Sequence, residues 1–278
     1  MFQGNPRANS RSRILSRRFR LFSFFLICAL LLATKCATAQ SAPLRIAAAA
    51  DLQPVLPPIL AKFRQSNGIE VQATYQASAA LTAQIQNGAP FDLFLSADLG
   101  YPQRLIDAGL ADNQGFGNAS APVVYARGTL VLWTRKDSRW PAPSLSTLSD
   151  PALQRLAIAN PDRAPYGRAV IAALTSLKIA DVLKPKLVTA ENISQTAQFA
   201  ETGNADAGLI SLTSAMTPHL SAIGTYFILP RDLYPPIEQG AVIVTHSAQR
   251  AAAQRFLSYL LSAPVQKQLA KSGLTPVN

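Results

Sequence analysis

Two strand-to-helix turns in quick succession constrain this chain more than any other feature. An apolar run, Leu44-Arg45-Ile46-Ala47-Ala48-Ala49-Ala50, reads as a strand that stops at Asp51, where a helical pattern from Leu52 to Phe63 begins. A second strand, Gly68 to Tyr75, ends at Ala77-Ser78-Ala79-Ala80 and gives way to a helix from Leu81 to Asn87. Both turns are lined by small residues, so the backbone N–H groups of two helix N-termini stand open. The first N–H groups of a helix lack an internal acceptor and the helix dipole is positive there, so this geometry suits an anion without any charged side chain. Open α/β sheets place ligands at the ends of their parallel strands, and these two turns mark such an end.

The same alternation continues along the chain. Strands are expected at 44–50, 69–75, 91–95, 129–134, 156–159, 207–211, 225–229 and 241–245. Helices are expected at 52–66, 79–87, 99–108, 145–149, 167–177, 192–202, 248–262 and 264–271. Alternation of this kind implies an α/β fold whose mostly parallel sheets are flanked by helices. Pro57-Pro58 interrupts the first helical pattern and kinks or restarts it, with Pro54 in its first turn. Two stretches read as crossings between lobes. Val123 to Trp133 is a long extended run broken by Arg127-Gly128, and Leu233-Tyr234-Pro235-Pro236-Ile237 leads back through Glu238-Gln239-Gly240 to a final strand. These give one lobe from 40–125 and 236–278, a second from 126–235, and a two-strand hinge with the ligand between them. A single larger sheet with added loops is the alternative from pattern alone.

The first 39 residues differ in kind. Arg7, Arg11, Arg13, Arg17, Arg18 and Arg20 precede an apolar run from Leu21 to Ala33, and Ala37-Thr38-Ala39 follows. That run is shorter than the roughly 20 residues a bilayer span needs. The expectation is a secretory signal, cleaved after Ala39, that sends the protein to the periplasm. Ser16-Arg17-Arg18 hints at twin-arginine export, although Arg20 stands where that pattern prefers Phe.

The leader also distorts the charge. The chain has 26 Lys+Arg against 15 Asp+Glu, and 1–39 holds seven basic residues and no acidic ones, so the remainder carries 19 minus 15, or +4. Its basic residues are scattered, which argues against nucleic acid as a partner. Both cysteines, Cys28 and Cys36, fall in the leader, which leaves the exported protein without disulfide or thiol chemistry. Thr34-Lys35-Cys36 is a poor lipoprotein box.

From the first turn onward the chain resembles the periplasmic molybdate-binding proteins of molybdate ABC importers. The landmarks are Ala47-Ala48-Ala49-Ala50-Asp51-Leu52, Ser78-Ala79-Ala80-Leu81 and Gly88-Ala89-Pro90-Phe91-Asp92-Leu93-Phe94-Leu95-Ser96-Ala97-Asp98. Asn160-Pro161 with Ala164-Pro165-Tyr166-Gly167-Arg168, Glu191-Asn192-Ile193 and Gly203-Asn204-Ala205-Asp206-Ala207-Gly208 follow in order. The resemblance implies a type II periplasmic-binding fold, with two α/β lobes closing over a tetrahedral oxoanion held by backbone N–H groups and hydroxyls. It also implies a monomer with no cofactor, carrying molybdate or tungstate to a membrane permease.

Carried onto this sequence, the first-turn ligand position falls on Asp51, where the best-known members place a serine. The second-turn serine falls on Ser78, the second-lobe loop ligand on Tyr166, and the backbone N–H ligand before a helix on Ile193. The late tyrosine that some members use falls on Ser211, and Tyr166 would then supply the hydroxyl from its Pro-Tyr-Gly turn. Molybdate would be held as an oxoanion by Asp51, Ser78, Tyr166 and Ile193.

Asp51 is the departure that matters, because a carboxylate at about 4 Å from a dianion repels it by several kcal/mol at an effective dielectric near 20. Three readings stand side by side. Asp51 is a helix N-cap turned toward its own helix, or a protonated donor to the anion, or a sign of a different anion such as sulfate, phosphate or an organic carboxylate.

Plainer roles exist for the other residues. Ser78 can cap its helix, Tyr166 can sit in a surface turn, and Asp92 and Asp98 can cap or cross-link the strand they flank. Arg168 reads as a solvated residue beside the site, with steering of anions as its other role. His219 and His246 have no metal-ligand spacing. Nucleophile elbow, H-E-x-x-H and P-loop motifs are all absent, which disfavours an enzyme. A hydrolase using Asp51 or Asp98 as general base, and a sensory module that passes its ligand to a receptor, are the rival classes.

Overall fold

The computed structural model describes residues 42–277 together with Met1. The expected export signal, both cysteines and the cleavage site therefore lie outside the described residues.

Two sheets are built from eleven strands among the described residues. The first holds β1 (Leu44–Ala49), β2 (Val71–Gln76), β3 (Leu93–Ser96), β4 (Ala111–Asp112), β5 (Val123–Gly128) and β11 (Ile237–Val244). Its order is β2-β1-β3-β11-β4, with β5 also pairing β11. The second holds β6 (Leu130–Arg135), β7 (Leu156–Ala159), β8 (Leu187–Ala190), β9 (Ala207–Ser211) and β10 (Gly224–Ile228), in the order β10-β6-β9-β7-β8. Pairing is parallel where a helix connects neighbours, as in β1 with β2 and β3 and in β7 with β8 and β9. It is antiparallel along β11 and along β6, where the chain passes between sheets. A single residue, Thr129, separates β5 from β6, and 229–236 carries the chain back.

β1 and β2 run in register from Leu44 opposite Val71 to Ala49 opposite Gln76, so the two turns that follow them stand at the same level. After β1 comes one 3-10 turn, Ala50–Leu52, and then the helix Leu56–Asn67 with Pro57 in its first turn. The double proline therefore restarts the helix rather than kinking it: proline suits a first turn, whose N–H groups have no acceptor to lose. That helix buries Leu56, Ile59 and Phe63 at a spacing of three and four and stops at Gly68, whose φ of 66° closes the C-terminus.

The core of the first sheet gathers Leu44, Ile46, Leu56, Phe63, Leu95, Ile243 and Phe256. That of the second gathers Leu130, Leu156, Ile158, Val170 and Leu209 on one face, with Trp133, Val131 and Ile210 on the other. The short pieces Ala111–Asp112, Leu187–Ala190, Ala180–Leu183, Leu212–Ala215 and Pro218–Ile223 were not expected from the sequence. At two to six residues they fall below the window in which a period shows.

Candidate functional site

The C-terminal ends of the two sheets meet across a narrow cleft. One wall carries Ala49, Ala50 and Asp51 from the first turn, Gln76, Ala77 and Ser78 from the second, and Ala97. The other carries Ala164, Pro165 and Tyr166, with Asn192 and Ile193. Three helices begin here: Ser78–Gln86, Pro165–Ser176 and Ile193–Glu201. The cap positions Ala77 and Ala164 supply no side-chain acceptor, whereas Asn192 accepts from Gln195 N at 3.0 Å. Dipoles from both sheets therefore converge on one small space, about 10 Å³, on the order of a single water. Admission of a tetrahedral oxoanion requires the walls to part.

Bonds between the walls hold them close. Ser194 Oγ donates to Ala50 O at 2.9 Å, Thr213 Oγ1 to Asp51 O at 2.8 Å, and Ala79 N to Arg163 O at 3.2 Å. At the rim Tyr101 donates to Asp162 O at 3.1 Å. Arg168 ion-pairs with Asp98 and lies 5.3 Å over the Tyr101 ring. Arg168 stays exposed at the surface, as its solvated reading expects, and its charge is matched by Asp98.

Four of the five residues singled out from sequence meet in this cleft. Ser78 is not a cap: it is the first helical residue, and its Oγ accepts from Ala97 N at 3.2 Å. Tyr166 is not in a surface turn. It lies in the first turn of its helix, 1% exposed, against Gly128, where a Cβ would overlap the phenol oxygen. Ile193 starts its helix with a buried side chain and lines the cleft. Ser211 is not in the cleft wall; it caps Leu212–Ala215, accepting from Ser214 N at 3.3 Å, and its hydroxyl bonds Thr213 Oγ1 at 2.9 Å.

Asp51 departs most from expectation. It lies inside the 3-10 turn and makes no cap, so the N-cap reading fails. Its fully buried carboxylate instead accepts from Tyr166 Oη at 3.2 Å and from Gln239 Nε2, both on Oδ2. Oδ1 has no partner. Burial pushes its pKa up to about 6, against the opposing pull of the Gln239 and Tyr166 bonds. The Tyr166 hydroxyl is driven well above the ordinary tyrosine value, first by burial and then by the Asp51 charge.

A family model described as bacterial extracellular solute-binding protein matches residues 44–275. The chain belongs to this family. Among its relatives, the molybdate-binding protein ModA of Azotobacter vinelandii is 36% identical over 222 residues, 80% of this chain and 85% of that one. ModA of Rhodobacter capsulatus is 34% identical over 213 residues, 77% and 80% of the two chains. The solved periplasmic molybdate-binding protein of Azotobacter vinelandii superimposes with a TM-score of 0.77 at 29% identity, covering 84% of this chain and all of that one. The sulfate-binding protein SubI of Mycobacterium tuberculosis, 17% identical with a TM-score of 0.70 over 85% and 87%, shares the fold alone.

In this solute-binding protein Gln239, which donates to the Asp51 carboxylate, is the partner of a cleft residue that sequence reading missed. It lies 188 positions from Asp51, and no local pattern marks it. Among the described residues no helix is long and apolar enough to cross a membrane, and no group of three or more His, Cys, Asp or Glu could hold a metal ion.

The raised pKa of Asp51 has a consequence for the unliganded solute-binding protein. Between the unfolded value of 3.8 and the folded value of about 6, the folded state holds the proton more tightly. Stability from this group is therefore full below about pH 4 and is lost as pH rises to 6, by about 3 kcal/mol at most. Asp51→Asn should gain on the native protein across that window and hold its advantage at pH 7. Urea unfolding of both proteins at successive pH values measures the difference, and a constant gap would contradict the raised pKa.

Proposed function

We propose that this protein is an exported solute-binding protein that captures molybdate or tungstate between its two lobes and delivers it to an ABC importer. The supporting observation is the convergence of three helix N-termini, from both sheets, on one cleft whose walls, among the described residues, carry no cationic side chain. A tetrahedral dianion exchanges its water shell there for fixed N–H dipoles and the hydroxyls of Ser78 and Tyr166. The ModA relatives carry molybdate in their names, which selects the anion. Ser211 contributes through Thr213, which it bonds and which holds the Asp51 carbonyl.

Residues 40–125 with 236–278 form one lobe and 126–235 the other. Thr129 and the 229–236 return act as the hinge strands, and opening about them admits the ligand. The closed form presents both lobes to a permease in the membrane. The protein acts as a periplasmic monomer after loss of its signal, and it binds without turning over its ligand.

Thermal unfolding of residues 40–278 with molybdate, tungstate, sulfate, phosphate and citrate tests the reading. A thousandfold excess over the dissociation constant stabilises by about 4 kcal/mol, so molybdate and tungstate should raise the melting temperature and the others should not. Ser78→Ala should weaken molybdate by about 1.5–3 kcal/mol, the usual worth of a hydrogen bond to a charged group. A shift with sulfate, phosphate or citrate alone would keep the fold and replace the ligand.

A further inference from the structure

Among the described residues Asp51 is the only acidic residue in the cleft wall, and its carboxylate has donors on one oxygen alone. Oδ2 takes both donors, while Asp51 Oδ1 and Gln239 Oε1 are buried without partners. Buried polar atoms are nearly always paired, so two acceptors left over in one small network leave the ionised carboxyl poorly satisfied. No Lys, Arg or His is among the carboxyl's partners. Tyr166 faces it from Pro165–Ser176, Tyr125 from β5 and Gln239 from β11, with Tyr234 beyond Tyr166. Thr213 bonds only its backbone carbonyl. The rim charges Asp98 and Arg168 are spent on each other.

A tyrosine hydroxyl has a single hydrogen to donate. Tyr166 gives that hydrogen to Asp51, and so cannot also give it to an oxoanion. If the hydrogen turned to the ligand while Asp51 stayed ionised, the carboxylate would face a phenol oxygen with no hydrogen between them, beside a dianion. A hydrogen on Asp51 removes both conflicts. Asp51 then donates to Tyr166 Oη, and Tyr166 donates to the oxoanion.

We propose that the cleft takes up one proton from solvent with each oxoanion, held on the Asp51 carboxyl, so that Asp51 couples capture to pH. The proposal rests on the oxoanion reading given above. One O–H bond forms at Asp51 and one breaks in the buffer acid that supplies the proton; Tyr166 keeps its hydrogen, and the protein meets only the oxygens of the ligand. Burial already holds the carboxyl near pH 6, and a dianion alongside raises it further. Asp51 acts through Tyr166 and is a positioning residue.

Calorimetric titration of molybdate into the exported protein, in two buffers of different ionisation enthalpy, counts the protons. At about pH 8 the count should approach one per molybdate, and affinity should fall about tenfold per pH unit from about 7 upward. In Asp51→Asn the amide can still donate to Tyr166, so the count should drop to zero and the pH profile should become flat. Molybdate binding by the native protein with a count near zero at pH 8 would overturn the proposal and leave the oxoanion reading intact. Absence of molybdate binding at pH 6, in both proteins, would overturn the oxoanion reading and the proposal together. Should the variant fail to fold, the count in the native protein decides alone.

Discussion

Gly167→Ala is expected to weaken molybdate binding tenfold or more and to lower the urea midpoint of the unliganded protein. A Cβ at this position would overlap Ala159 O and stand 2.8 Å from Asn160 C and Pro161 N. All three are backbone atoms at the end of β7, so no side chain can swing aside. Alanine gains about 1 kcal/mol over glycine in helix propensity, but overpacking against backbone costs about 1–3 kcal/mol. Relief comes only by lifting the start of Pro165–Ser176, the turn that carries Tyr166. Its hydroxyl then leaves hydrogen-bond range of Asp51 and of the ligand, and a lost bond to a charged group costs about 1.5–3 kcal/mol. Affinity and midpoint are read on the same preparation. Native values for both would show that the helix does not seat as closely on β7 as the structure has it.

Phe63→Ala should produce the largest loss of stability with the least effect on the site. Its ring is fully buried, edge-on to Phe256 at 5.0 Å and tilted against Tyr259 at 5.3 Å. Truncation leaves a cavity between two helices and costs about 3–5 kcal/mol, a large share of the 5–15 kcal/mol that holds a typical domain folded. Phe63 lines no part of the cleft, so the fraction that remains folded should bind molybdate with native affinity. A urea transition displaced with unchanged steepness measures the first effect, and titration well below the melting temperature measures the second. Joint loss of stability and affinity would show that the helix Leu56–Asn67 is coupled to the first turn.

The contrast between these two positions follows how the site is put together. Gly167 acts through one helix start, and the cleft is assembled from three such starts plus a 3-10 turn. Two of the starts are legible locally, where small residues after an apolar run mark Ala50-Asp51 and Ala77-Ser78; the helix expected from 167 begins at Pro165 and so takes in Tyr166, and the one expected from 192 begins at Ile193 with Asn192 as its cap. Their backbone N–H groups follow from helix geometry alone, whichever side chains stand nearby.

Side-chain roles were less legible. Ser78 and Asp51 both look like caps in sequence, and in the fold neither is one. Asp51 is drawn off its helix by Tyr166 and by Gln239, 115 and 188 residues away. Arg168 reads as surface charge and is one, but its partner Asp98, 70 residues earlier, is brought opposite it only by the fold.

Strand–helix alternation, the small-residue turns and the residues that stand at them follow from the order of amino acids alone. Short-range sterics and the side-chain period of each element decide those, and both are local. The direction of Asp51, the amide that meets it and the oxygen left without a partner emerge once the chain is folded. Those depend on how two sheets close on each other. That closure is set by the summed burial of both cores, and no pair of residues far apart in the chain carries a local mark of it.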